Sequence, residues 1–141
     1  MRTDQVISRI VRPGFTCSLG THGHDRVDYP DFGAAVGRAV ASGDVDLGVC
    51  VCGSGIGISI AANKVQGVRA AVVHDELTAQ LSRSHNDSNV LCLSADLLGQ
   101  RLIEKIVESW LGATFEGGRH SRRIHKITAM EQGLNPATVS E

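Results

Sequence analysis

The apolar run Leu47-Gly-Val-Cys-Val51 ends on Cys52 and leads into Gly53-Ser-Gly-Ile-Gly57, with the helical-looking segment Ile58-Ser-Ile-Ala-Ala-Asn-Lys64 directly behind it. A short apolar run stopped by glycines that open a helix reads as a buried strand feeding a helix through a tight turn. Such a turn gathers several backbone N–H groups about one point, at the positive end of the helix dipole. Cys52 therefore stands beside an anion-binding nest. A thiol in that position is suited to taking a proton while the nest holds the oxyanion left behind.

The rest of the chain alternates strand-like and helix-like segments. Residues 4–12 carry apolar side chains at 6, 7, 10 and 11, a helical stripe stopped by Pro13-Gly14. Phe15 to Leu19 reads as a short strand, and Gly20 to Pro30 as a polar loop. A helix is expected over 31–42, capped by Asp31 and ended by Gly43-Asp44. Strand 46–51, the glycine turn, helix 56–64 and the apolar strand Val68 to Val73 follow. Asp75 is a suitable N-cap for a helix over 76–84 that would carry Leu77 and Leu81 inward. Asn89 to Leu93 is the last strand. Residues 96–111 form an amphipathic helix with Leu97, Leu98, Leu102, Ile103, Ile106, Val107 and Trp110 on its apolar side. A linker from Gly112 to Gly118 precedes a final helix near 120–132, and the tail from Gly133 is expected to fray.

Strands that are continuous apolar runs, separated by helices, mark a parallel sheet covered on both faces. The expected fold class is α/β: three layers, α/β/α, around a parallel Rossmann-like sheet. Residues 1–132 form a single domain and 133–141 a C-terminal tail. Ligands of such sheets bind at the carboxyl ends of the strands, so Cys52, the glycine turn and His74-Asp75 are expected on that rim.

A formal net charge of −1 offers no basic face for nucleic acid or an acidic membrane, and 4% aromatic residues leave little for base stacking. No apolar run reaches the roughly 20 residues of a membrane helix, and Met1-Arg-Thr-Asp-Gln-Val is too polar for a signal peptide. The four cysteines, Cys17, Cys50, Cys52 and Cys92, fit a reduced cytoplasmic protein better than a disulfide scaffold. Cys50 is expected on the opposite side of its strand from Cys52, and Cys17, Cys50 and Cys92 in the core. His22 and His24 lack the spacing of zinc ligands, so no metal is expected.

The turn itself admits several readings. Its glycines fall at 53, 55 and 57, where a dinucleotide fingerprint would want 53, 55 and 58. No Gly-Lys-Ser/Thr closes it as a nucleotide phosphate loop. A tight turn with a buried cysteine is the plain alternative. Two further segments carry chemistry: Ser82-Arg-Ser-His85-Asn86-Asp87-Ser-Asn89, and Glu116-Gly-Gly-Arg119-His120-Ser-Arg122-Arg123. A histidine such as His85 is more often solvated or packed than catalytic. Arg119 and Arg123 lie one helical turn apart, a suitable fork for a phosphate dianion.

Together these segments make the chain resemble the ribose/galactose phosphate isomerase family, in its ribose-5-phosphate isomerase type B branch. The resemblance runs from about residue 4 to 132 and rests on Asp28-Tyr29-Pro30, Cys52 to Gly57, Ile60-Ala-Ala-Asn63-Lys64, Ser82 to Asp87, Asn89-Val-Leu91 and Gly117-Gly-Arg-His120. It implies an aldose–ketose isomerase of carbohydrate metabolism, in the pentose phosphate pathway, that interconverts ribose 5-phosphate and ribulose 5-phosphate through a cis-enediolate without a cofactor. By resemblance Cys52 is the base, Gly53, Gly55, Ile56 and Gly57 bind the enediolate oxygen, and Ser54 shuttles protons. His85 opens the furanose ring, Asn86 binds a sugar hydroxyl, and Tyr29 lines the ring site. Arg119 and Arg123 bind phosphate by reaching into a neighbouring subunit's site, which makes a homodimer the minimum working unit and leaves a tetramer open.

The chain departs from the family pattern twice. Family members begin with a strand ending in Asp-His that lies centrally in a sheet of five strands, between the second and third. Four of those strands are encoded here, and an upstream segment carrying the first is expected. Without it a gap would leave backbone groups of two strands unpaired. Asp96 also stands where many relatives place a phosphate-binding Arg, which reverses the local charge. These departures keep two alternatives open: an isomerase of a tetrose, allose or galactose phosphate, or an inactive binding or regulatory relative.

Overall fold

The computed structural model describes residues 7–12 and 15–139. Its order is β1 (Ile7–Arg12), β2 (Phe15–Ser18), α1 (Tyr29–Ala41), β3 (Leu47–Cys52), α2 (Ile56–Ala62), β4 (Ala70–Val72), α3 (Glu76–Asn86), β5 (Val90–Ser94), α4 (Gln100–Gly112) and α5 (Arg119–Glu131). A 3-10 turn, Pro136–Thr138, follows in the tail. The strands form one sheet in the order β2-β1-β3-β5-β4. β3, β5 and β4 pair in parallel, whereas β1 is antiparallel to both its neighbours. β2 therefore runs in the same direction as β3, and the four strands expected from the sequence all point one way.

β1 corrects two expectations. The stripe at 6, 7, 10 and 11 predicts a helix over 4–12, but residues 7–12 are a strand, with Ile7 opposite Val51 and Val11 opposite Leu47. Residues 4–6 and the expected stop at Pro13-Gly14 lie outside the described residues. The sheet accordingly has five strands, and the slot expected to be a gap between β2 and β3 is filled from this chain. The unpaired N–H and C=O groups of two strands are a stronger demand than a short helical stripe. Ile7, Ile10 and Val11 are β-branched and suit a strand as well as they suit a helix face.

Side chains alternate across the sheet and split the core into two layers. Cys50, Cys52, Val90 and Cys92 face α1 and α2, where they pack with Val36, Val40, Ile58 and Ala62. Val49, Leu91 and Leu93 face α3 and α4, with Ala79, Ile106 and Trp110. Cys50 and Cys52 thus share a face, contrary to expectation, because residues two apart on a strand point the same way. Cys50 and Cys92 are register partners and fully buried. A hydrogen bond with Cys50, and then burial, push the Cys92 thiol well above its usual pKa. All four cysteines are free.

Helix boundaries follow local caps. α1 starts two residues earlier than expected, with Pro30 in its first turn and Asp28, not Asp31, at the N-cap position. Asp75 caps α3 as expected, its Oδ1 accepting from Thr78 N–H at 2.7 Å, which lowers its pKa. α3 continues to Asn86, so His85 and Asn86 are helical. Leu77 and Leu81 point outward (63% and 37% exposed), and α3 buries Ala79, Ser82 and Ser84 instead. Leu97 is 69% exposed because α4 begins only at Gln100; Ser94 Oγ accepts from Leu97 N–H and holds a turn there. Among the described residues no helix is long and apolar enough to cross a membrane.

Two glycines set the approach of α1 to α2. A Cβ at Gly33 would lie 2.8 Å from the Ile58 carbonyl oxygen, and one at Gly37 would lie 3.0 Å from Val65 Cγ2. The close contact seats α2 at the end of β3, where the glycine turn is held. Gly33→Ala should force the helices apart and cost about 1–3 kcal/mol of unfolding free energy, measured by urea denaturation. An unchanged midpoint and slope would show that the contact is slack.

Candidate active site

Cys52 is the last residue of β3 and is 5% exposed. Its sulfur accepts the N–H of Gly55 at 3.2 Å, so the turn folds its backbone back onto the thiol. Only glycine fits that position: Gly55 has φ +79°, and a Cβ there would stand 2.9 Å from the carbonyl carbon of Leu93. The turn is tied to the neighbouring strand end, where the carbonyl of Gly53 accepts from Ser94 Oγ at 2.6 Å and from Asp96 N–H at 3.1 Å. Ser54 is exposed, and its Oγ accepts from Ile56 N–H at 3.2 Å. The Tyr29 ring lies on the backbone of Gly57, where an added Cβ would fall 2.5 Å from Tyr29 Cζ. Tyr29, Cys52, Ser54 and the glycine nest therefore form one cluster, with exposed Asp96 at its edge.

The second cluster surrounds the end of α3. Asp87 takes φ +43° and caps the helix, while its carboxylate meets Arg83 at 2.7 Å and Arg69 at 3.1 Å. Beneath it, Trp110 Nε1 donates to Ser88 Oγ at 2.8 Å, and Ser88 and Ser82 hydroxyls meet at 2.9 Å. Asn89 accepts from Arg69 N–H and donates to the carbonyl of Gly67, both at 2.8 Å. The polar residues of 82–89 are thus mostly a brace, and what the brace holds out is His85 and Asn86. Glu116 N–H donates to the Ser84 carbonyl at 3.0 Å, which brings the linker alongside. The rings of His85 and His120 stack with centroids 4.2 Å apart and planes 9° from parallel. Glu116 Oε2 lies 3.9 Å from His85 Nε2 and 3.7 Å from His120 Nε2. Arg119 and Arg123 are exposed on the first turns of α5.

These clusters occupy opposite rims of the sheet. Cys52 pairs with Ser94 at the carboxyl end of β5, whereas Asn86 to Asn89 lead into its first residue, Val90. Four residues of strand separate those levels, about 13 Å at 3.3 Å per residue. The Nε of Arg69, at the amino end of β4, donates to the Asn86 carbonyl at 3.0 Å, which places α3's last turn at that end. The structure therefore brings Tyr29, Cys52, Ser54 and Gly53–Gly57 together, and separately His85, Asn86, Arg119 and Arg123. It does not unite the two sets within one chain.

Glu116 and His120 received no role from the sequence beyond marking the family pattern. The signal was an acid and a histidine on either side of two glycines, both of which take positive φ here, +67° at Gly117 and +54° at Gly118. His120 is 4% exposed, and its Nε2 is buried without a hydrogen-bond partner among the described residues. Its pKa is lowered first by burial, then by His85, Arg119 and Arg123, against the opposing pull of Glu116. A lowered folded-state value means that stability is full above the ordinary imidazole pKa of about 6.5 and is lost as pH falls below it. His120→Phe should therefore lose less stability than the parent between about pH 6.5 and 5 in parallel thermal melts. Identical acid sensitivity of the two proteins would contradict this.

Residues 4–127 match the model of the family described as Ribose/Galactose Isomerase. The chain is 47% identical over 132 residues to ribose-5-phosphate isomerase B of Escherichia coli (strain K12), across 93% of this chain and 89% of that protein. Its structure superposes on Clostridium thermocellum ribose-5-phosphate isomerase B with a TM-score of 0.81 and 52% identity, covering 82% of this chain and 78% of that one. The Mycoplasma genitalium ribose-5-phosphate isomerase B, solved with bound ribulose 5-phosphate, aligns with a TM-score of 0.77 and 49% identity over 81% of this chain and 76% of that one. With an α/β sheet carrying a cysteine–glycine turn on one rim and a histidine–arginine cluster on the other, the chain belongs to the ribose/galactose isomerase family and is an aldose–ketose isomerase.

Proposed function

We propose that the chain interconverts ribose 5-phosphate and ribulose 5-phosphate at a site built by two copies of itself. The observation that carries the chemistry is the Gly55 N–H donated to Cys52 Sγ inside the glycine turn. It holds the sulfur beside backbone donors that can also receive an oxyanion. The names of the relatives at 47% and 52% identity supply the substrate.

In the forward direction the Cys52 thiolate takes the proton from C2 of the open-chain aldose. The C–H electron pair forms the C1–C2 double bond, and the carbonyl pair moves onto O1, giving a cis-enediolate. Amides of Gly53 to Gly57 hold that oxygen, and the exposed hydroxyl of Ser54 passes a proton from O2 to O1. As the C2 carbonyl forms, the electron pair returns to C1 and takes the proton back from the Cys52 thiol. The reaction is an internal redox exchange and needs only proton transfers, so no cofactor is required. Ribose 5-phosphate is mainly a furanose, which His85 opens by giving a proton to the ring oxygen as the anomeric hydroxyl loses one. Asn86 binds a sugar hydroxyl, and Tyr29 lines the ring site.

Two rims of one chain cannot serve one sugar. A two-fold homodimer that sets the Cys52 rim of one copy against the His85 rim of the other completes two equivalent sites. Arg119 and Arg123 then reach the phosphate from the partner, on the side away from Asp96. Asp96, whose N–H donates to the Gly53 carbonyl, adds negative charge to this rim and disfavours phosphate there, so the sugar lies with C1 and C2 at Cys52 and C5 toward the arginines.

Cys52→Ala should lower kcat for ribose 5-phosphate by about 10³-fold and His85→Asn by about 10²-fold, each with KM within a few-fold. Arg119→Ala should instead raise KM by about tenfold. Steady-state kinetics on the full chain checks all three. An active preparation in which Cys52→Ala retains the parent rate would remove the cysteine-base reading.

A further inference from the structure

The proposal here rests on the reading of His85 as the ring-opening group. His85 closes the last turn of α3 with its side chain about a third exposed, so packing from its own helix does not set the plane of its ring. One face is covered: His120 lies over it, with the ring planes 9° from parallel and the centroids 4.2 Å apart. His120 is itself held from both sides of the chain. Its N–H donates to the Gly117 carbonyl at 3.0 Å, and Glu116, four residues earlier, is fastened to α3 through the Ser84 carbonyl. The positive φ of Gly117 and Gly118 makes this sharp reversal possible, so the segment delivers a buried flat ring to His85.

We propose that His120 is a positioning residue for His85, its buried imidazole fixing the plane of the ring-opening imidazole by stacking. The buried Nε2 of His120 has no hydrogen-bond partner among the described residues, an arrangement that a neutral ring tolerates and a charged one does not. The lowered pKa of His120 agrees with a neutral ring. Glu116 Oε2 lies within 4 Å of both Nε2 atoms.

Ligand atoms of His85, Glu116 and His120 also lie within 4.8 Å of one another, as in a metal centre. The stack argues against that use. Imidazole binds a cation in its own plane, and a cation in the plane of one stacked ring stands off the plane of the other. What the geometry serves is orientation.

The test compares His120→Phe, which keeps a flat face, with His120→Leu, which fills similar volume without one; His85→Asn is the reference. Turnover of ribose 5-phosphate is measured on the full-length proteins after thermal melts show them folded, with His120→Met replacing the leucine variant if that one does not fold. His120→Leu should lower kcat by about tenfold with KM within about threefold, and His120→Phe should stay within about threefold of the parent. Equal rates for the leucine and phenylalanine variants, or a change confined to KM, would overturn the stacking role. If His85→Asn itself keeps the parent rate, the reading of His85 falls first, and the two failures are told apart.

Discussion

The direction of the sheet governs everything else in this molecule. β3 and β5 are parallel, so a helix that leaves the carboxyl end of one strand must run back to the amino end of the next. A side chain at the end of β3 and one at the end of α3 are thereby sent to opposite rims. Cys52 is at the first place and His85 at the second. Loop adjustments within one chain do not bring them together while the sheet remains intact, and this separation is the ground on which a site shared by two copies is proposed.

On each rim short-range devices hold the side chain proposed to react. At the carboxyl rim, Gly55 places its N–H on the Cys52 sulfur, and the packing of α1 on α2 through Gly33 and Gly37 keeps the turn in place. At the amino rim, Asp87 and its two arginines, with the Ser82, Ser88 and Trp110 hydroxyl–indole chain, stiffen the last turn of α3. Buried polar groups that are all satisfied hold a position well, because moving one leaves others unpaired. The histidine stack with Glu116 extends that brace outward to the His85 ring.

What was legible in the sequence was local. The turn after Cys52, the Asp75 cap and the apolar side of α4 around Ile106 and Trp110 follow from residue type and spacing within a few positions. The face shared by Cys50 and Cys52 also follows from the two-residue repeat of a strand, and the opposite expectation was a misapplied period. β1 could not be read this way. Its apolar spacing suits a helix and its β-branched residues suit a strand, and the vacant slot between β2 and β3 decided between them. Leu77 and Leu81 were misplaced because α3 turns serines inward to build the brace, a tertiary demand that a hydrophobicity pattern does not carry. The candidate site residues were grouped by a family pattern, and their division between two rims depends on which end of the sheet each segment reaches.

The shared site is tested most directly by mixing two inactive variants, Cys52→Ala and His85→Asn, after dissociation and reassembly. If each site takes Cys52 from one copy and His85 from the other, half of the reassembled dimers are mixed, and each mixed dimer carries one intact site and one doubly altered site. Activity should then rise from near zero to about a quarter of the parent's. A mixture that reassembles yet stays at the level of the separate variants would contradict a site built across two copies.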